Sequence, residues 1–420
     1  MRNAVGLCVL SAILGIAHAD ETGWLSVSTG RYPDADPPVT FSPTENVVWA
    51  APMPDWSNAS PVVIGDRIFV CAEPDILIAV EKKTGKVLWQ KANPVSEASD
   101  AEAGNALGAA KTHRENGYTS ATPVSDGRRV FAVFGNGVVA AYDIDGKRLW
   151  SRFVEKPLHK WGHCASPVLV GGKLLVQFEK LQALDPTDGS RVWSQSLEMW
   201  ANQREKRWGT CTPTRIGETD VVVTVSGKVI RVSDGMVLFR DLARITYATP
   251  LIHDGVVYFF DQTGGRAVRL PATPDGQPEV LWNAKTVKER HYGTPLLHDG
   301  VIYAITRRGH FSAFDAKGGT EIYQEKLLLA KTEKQPNAAY ASITLAGKLL
   351  YFAGMDGSIV VVKPGRKYEQ VARNKVETGL RNGRVREVLG GLEPGDRVVL
   401  HPGDALVDGA KIRVLEEVGG

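Results

Sequence analysis

Short apolar runs alternate with glycine turns along most of this chain, and the order of their elements repeats. In the first full unit, Pro61–Ile64 is an apolar run, Gly65-Asp66 a two-residue turn, Arg67–Cys71 a second run, Leu77–Val80 a third and Lys86–Trp89 a fourth. A run of four to eight residues bounded by turn chemistry predicts a strand. The first strands are apolar throughout, which predicts sheets covered on both faces.

The unit recurs as a phrase. A small residue and Pro open it, and Asp-x-x-x-Gly-x-x-x-Trp, or a close variant, closes it. Ala59-Ser60-Pro61 leads to Glu81 and Trp89, Ala121-Thr122-Pro123 to Asp143 and Trp150, and Ala165-Ser166-Pro167 to Asp185 and Trp193. Matching prolines are read at Pro213, Pro250 and Pro295, giving spacings of 62, 44, 46, 37 and 45 residues. A period of about 40–45 residues built from four short strands predicts the blades of a β-propeller, an all-β fold.

Later units decay without losing the order. Asp254-Gly255, Asp299-Gly300 and Ala346-Gly347 supply the first turn of units five to seven. Phe239 and Tyr323 stand at the Trp position of units four and six, and unit seven opens at Ala341-Ser342-Ile343 without its proline. Within each closing phrase the Gly takes a turn conformation with φ above zero. The Trp is expected to lie across the next blade with its N–H on a carbonyl. Trp89, Trp150, Trp193 and Trp282 are therefore read as structural docking residues.

This repeated phrase resembles the tryptophan-docking motif of quinoprotein-type propellers. Residues 46 to 377 look like the pyrroloquinoline-quinone-like repeat family, which includes the BamB-like propeller of the outer-membrane β-barrel assembly machinery. The resemblance implies the fold and leaves the activity open, because the motif is structural.

Residues 1–19 read as a signal peptide: a basic start with Arg2, a thirteen-residue apolar stretch from Ala4 to Ile16, and Ala17-His18-Ala19 as a small-x-small cleavage site. Thirteen residues are too few to span a bilayer, so no membrane span is expected after removal, and the location expected is periplasmic or secreted. Fifty basic against 47 acidic residues give a net charge of +3, or +2 once Arg2 is removed, which supplies no stripe for nucleic acid. Residues 20–377 are read as the propeller and 378–420 as a C-terminal β segment.

The tail contains Gly391-Leu392-Glu393-Pro394-Gly395-Asp396 and resembles the membrane-proximal end of periplasmic efflux adaptor subunits over about 40 residues. Two readings stand for it: a small adaptor-like domain, or a closing blade. Its strand signals near 384–389, 397–400 and 411–415 plus Asn46–Ala51 as outermost strand would make four. Eight blades are therefore favoured, seven from the repeats and one composite, over a seven-bladed ring with a separate tail.

Candidate chemistry is sparse. The chain has no Cys-Cys pair, GxSxG, HExxH, P-loop or paired CxxC, and its nine histidines are scattered. By the family resemblance, a quinone dehydrogenase would hold its cofactor against a tryptophan with calcium and a carboxylate–amide set. The unit openings here carry Ser, Thr, Ala and Tyr, so no pyrroloquinoline quinone, metal or catalytic residue is expected. Cys164 and Cys211 sit at equivalent openings, read as two buried thiols or a disulfide. Trp161, His163, Trp208 and His291 fall near the starts of inner strands and form a candidate ligand site at the channel mouth. The insertion Lys91–Gly117 is read either as a binding rim or as a surface excursion.

The favoured function is a monomeric, exported, noncatalytic propeller that binds an envelope protein partner or scaffolds an assembly. The alternatives are a quinone- or metal-dependent oxidoreductase and a sugar- or small-ligand-binding propeller.

Overall fold

A computed structural model describes residues 22–375 apart from 43–44, 101, 103–105, 198–207 and 330–338. Seven antiparallel sheets follow one another in chain order, each with its four strands paired in sequence. The first blade comprises Val62–Ile64, Arg67–Ala72, Ile76–Glu81 and Val87–Ala92. The second to sixth open with Val124–Ser125, Val168–Val170, Thr212–Ile216, Leu251–His253 and Leu296–His298. The seventh comprises Thr344–Ala346, Leu349–Ala353, Ser358–Val362 and Gln370–Lys375. Apolar clusters fill the spaces between blades, such as Phe131, Trp150 and Leu174 between the second and third.

The expected eighth blade is corrected to a ring of seven. Asn46–Ala51 forms no strand. The tail strands assigned to that blade, like the signal peptide and the 378–420 segment as a whole, lie outside the described residues.

A series of six hydrogen bonds registers successive blades. From the second blade to the seventh, each opening hydroxyl accepts the backbone N–H of the preceding blade's opening: Ser60 N–H donates to Thr122 at 2.9 Å, Thr122 to Ser166 at 3.0 Å, and Ser166 to Thr210 at 3.0 Å. Thr210 then donates to Thr249 at 3.0 Å, Thr249 to Thr294 at 3.1 Å, and Thr294 to Ser342 at 2.9 Å. The series also corrects the repeat alignment. Thr210-Cys211, not Pro213, opens the fourth blade, and Pro213 lies two residues further on inside the first strand.

The docking residues hold the outer edge. The indole N–H of Trp89 donates to Ile144 O at 3.2 Å, that of Trp150 to Pro186 O at 3.1 Å, that of Trp193 to Val232 O at 2.8 Å and that of Trp282 to Ala316 O at 3.0 Å. Each indole lies flat over the turn glycine of the next blade. At Gly189, with φ +73°, a Cβ would sit 2.7 Å from the Trp150 ring, so both conformation and space exclude a side chain.

Two N-terminal features had no signal in the repeat. Residues 22–32 cross the channel at the far ends of the inner strands. Thr22 pairs with Ser125 of the second blade, and Arg31–Tyr32 adds a parallel strand to Thr344–Ala346 of the seventh. The chain then runs along the seventh blade's outer strand, where Phe41 N–H donates to Asn374 Oδ1 and Asn374 Nδ2 donates to Val39 O, both at 2.9 Å. No helix among the described residues is long and apolar enough to cross a membrane.

Candidate functional site

Every blade enters its inner strand on the same side of the ring, so the opening residues converge around one mouth of the channel. The insertion after the first blade folds onto this side. Its start is an edge addition: Ser99 bridges Arg152 in parallel, and Arg148 pairs with Glu97 at 2.9 Å. Its end is held by Glu73, whose carboxylate accepts the N–H groups of Tyr118 and Thr119 at 2.8 Å. Asn116 then reaches the third blade's opening, where its Nδ2 donates to Trp161 O at 2.7 Å and His163 O at 3.1 Å. The end of the insertion is thus a packed part of the mouth.

Trp161 and Trp208 sit at neighbouring openings. Trp161 is 37% exposed and stacks on His113 of the insertion, with centroids 3.8 Å apart. Trp208 meets His159 edge-on at 5.0 Å, and its carbonyl accepts the Cys164 thiol at 3.2 Å. His163 is buried against Phe178 at 4.6 Å. His291 opens the sixth blade, three blades from His163, and in a ring of seven no two blades are further apart. The structure therefore groups Trp161, His163 and Trp208 on one arc and places His291 on another, near Phe260.

Both histidines are neutral side chains of the interior. Burial pushes each imidazole down to about 4. His163 Nε2, His291 Nδ1 and Trp208 Nε1 are buried with no hydrogen-bond partner among the described residues. Cys71, Cys164 and Cys211 are free thiols, and burial raises Cys71 and Cys211 to about 12, so neither is a nucleophile at neutral pH.

A half-buried acid–base pair on this side is engaged within the fold. Glu289 Oε2 meets His310 Nδ1 at 3.0 Å and accepts the Thr306 hydroxyl at 2.7 Å. Burial acts to raise the Glu289 carboxyl, but these two hydrogen bonds, together with the charges of His310 and Lys326, hold it below its ordinary value.

The residues present do not fit a quinone–calcium pair. The unit openings carry Ser and Thr hydroxyls, each accepting a neighbouring blade's backbone N–H, and no carboxylate. Among the described residues no group of three His, Cys, Asp or Glu could hold a metal ion.

Sequence reasoning missed the aromatic residues on the opposite arc. Tyr247, Tyr292 and Tyr340 each stand two residues before an opening hydroxyl, in three consecutive units. Tyr247 meets Tyr292 edge-on at 4.8 Å, and Tyr292 lies flat on Tyr340 at 4.7 Å. Their shared offset from Thr249, Thr294 and Ser342 was the available signal.

Comparison with known proteins gives the same architecture a family. Residues 39–230 and 179–274 match the family described as outer membrane protein assembly factor BamB. The outer membrane protein assembly factor BamB of Moranella endobia (strain PCIT) is 25% identical over 328 residues, covering 73% of this chain and 78% of its own. The crystal structure of BamB from Moraxella catarrhalis shares the fold with a TM-score of 0.54 at 12% identity, covering 76% of this chain and 87% of that one. The matched spans together exceed half of the sequence, and the chain belongs to the BamB family of outer membrane protein assembly factors.

Proposed function

We propose that this protein is an exported, noncatalytic propeller that binds another envelope protein during outer-membrane protein assembly, using the mouth side of the ring. The observation that carries this reading is the folded insertion. It clamps the Trp161 loop into place and leaves Leu107, Leu158 and Trp161 exposed together with polar neighbours. An exposed tryptophan on a rigid support is the kind of anchor that dominates protein interfaces. Among the described residues of the mouth, burial holds His163 and His291 neutral, and Glu289 is engaged by His310 and Thr306, so none of these is a ready general acid or base. The membership of the chain in a family of assembly factors supports the same direction.

In this reading the protein acts in the periplasm after loss of residues 1–19 and needs no cofactor. The test is affinity capture from envelope extract. Wild-type protein should retain components of the outer-membrane assembly machinery, and Trp161→Ala should lose them while melting at the same temperature. Equal capture by both proteins would show that this side is not the interface.

A further inference from the structure

The loop that carries Trp161 is seated closely on residues 112–116 of the insertion. His113 stacks on the indole with centroids 3.8 Å apart. Thr112 Oγ1 and Asn116 Nδ2 both donate to Trp161 O, at 3.5 and 2.7 Å. The next residue, Gly162, has φ +81°, and a Cβ there would sit 2.5 Å from Thr112 Oγ1. Conformation and space both require glycine at this contact.

The same contact gathers basic side chains. Lys111 and Arg114 flank Thr112 and His113, and Lys160 precedes Trp161. All three are exposed and pair with no carboxylate among the described residues. Residues 106–117 and 155–162 carry Lys111, Arg114, Lys156 and Lys160 against Glu115 and Glu155, an excess of 4 − 2 = +2 in a chain whose net charge is +3. Glu115 is exposed and offsets part of this charge. The other carboxylates close by are used within the fold. Glu155 accepts the N–H groups of Glu179 and Lys180 at 3.1 and 3.0 Å, and Glu179 accepts that of Leu158 at 2.8 Å. Lys156 is committed too, since its ammonium donates to Leu107 O. What is left is three uncommitted cations beside the exposed apolar side chains of Leu107, Leu158 and Trp161.

We propose that this face binds an acidic protein segment in which carboxylates stand on either side of an apolar side chain. The apolar side chain packs on Trp161, and the carboxylates pair with Lys111, Arg114 and Lys160. Tryptophan and arginine are enriched at protein interfaces for these two kinds of contact. Nucleic acid fits less well, because a protein held by phosphates uses an extended track of basic side chains and this patch offers three. An anionic bilayer fits less well for the same reason, since about 4–8 clustered Lys or Arg serve it. The assignment rests on the function proposed above and names the chemistry of the partner that the Trp161 side recognises.

Calorimetry on the intact mature protein tests it. The probe is a blocked octapeptide of alternating Glu and Leu. A Lys–Leu octapeptide, a Glu–Gly octapeptide, phosphatidylglycerol vesicles and an eight-nucleotide oligothymidine serve as comparisons. The Glu–Leu peptide should bind, with each comparison at least about tenfold weaker. Trp161→Ala, and Lys111→Gln, Arg114→Gln and Lys160→Gln together, should each weaken the Glu–Leu peptide by about tenfold. All four side chains are exposed, so both proteins should keep the wild-type melting temperature. Lys111→Glu, Arg114→Glu and Lys160→Glu together should reverse the preference toward the Lys–Leu peptide. Absence of Glu–Leu binding, equal binding of the two charged peptides, preference for vesicles or oligonucleotide, or an unreversed preference in the three-Glu protein would overturn the proposal. Capture of assembly components from envelope that is lost in Trp161→Ala and intact in the three-Gln protein would overturn the acidic partner and leave the function proposed for this side standing. Capture unchanged in Trp161→Ala, with the peptide results as expected, would remove that function and leave the preference for acidic segments standing.

Discussion

The indole N–H of Trp49 donates to the carbonyl of Lys82 at 2.9 Å, across the place where the ring of blades meets itself. The contact repeats the docking geometry of the other blades. A Cβ on Gly85, with φ +76°, would lie 2.6 Å from the Trp49 ring. The seventh blade has no docking aromatic of its own: Val361 faces Ala372, where Ala141 of the second blade faces Trp150. The N-terminal segment, tied to the seventh blade at Asn374, brings Trp49 across to the first blade and supplies the missing residue. It packs there with Ile68, Val70 and Ile76 over the buried Ile78 and Val80.

Trp49→Ala should therefore act at the closure and not merely at the surface. Trp150 is 8% exposed, and its removal should cost about 3–5 kcal/mol, the range for emptying a core aromatic site. Trp49 is half-buried, and its removal should cost less, roughly 1.5–3 kcal/mol. Denaturant unfolding of the two variants measures both. Hydrogen exchange should show the first and seventh blades of Trp49→Ala opening ahead of the rest. A Trp49→Ala protein with uniform exchange and unchanged stability would mean that the ring closes by other contacts.

Deleting residues 376–420 should leave a monomer that unfolds in one cooperative step at a nearly unchanged temperature. The seven described sheets and the Trp49 closure use none of those residues. Aggregation or a broadened transition after deletion would show that the tail completes the ring.

Acid should weaken the fold through His163 and His291. Each titrates near 4 when folded because burial penalises the charged ring, against about 6.5 when unfolded. Between those values the unfolded state holds more protons, so stability is complete above pH ~6.5 and falls as the pH drops toward ~4. Each residue accounts for up to roughly 3 kcal/mol of that loss. Thermal unfolding between pH 7 and 4.5 should show the decline, and the double variant His163→Phe, His291→Phe should flatten it. An identical slope in the double variant would assign the acid sensitivity to other groups.

The fold was legible wherever one unit carried its own signals. Gly146, Gly189 and Gly319 each sit under a tryptophan because φ and space both demand glycine, and that spacing is visible in the sequence. The blade count was not legible, because the seventh unit borrows its docking residue from more than 300 positions earlier. Val47-Val48-Trp49 resembles an outer strand in need of partners, yet only Trp49 packs inward and Val48 points to solvent. The fourth opening misled for a related reason. Cys211 stands where other units have proline, and Pro213 nearby imitates the pattern.

The mouth was half legible. Its tryptophans stood out by their place near the starts of inner strands. Tyr247, Tyr292 and Tyr340 did not, since each looks like an ordinary loop aromatic until the fold brings each ring to about 5 Å from the next.

The central claim is a role in outer-membrane assembly through the mouth side of the propeller. Quantitative proteomics of outer membranes from cells lacking this protein tests it most directly. The account predicts depletion of β-barrel membrane proteins, restored by the wild-type chain and not by a Trp161→Ala chain present at the same level. An unchanged outer-membrane profile in the deletion strain, or full restoration by Trp161→Ala, would contradict it.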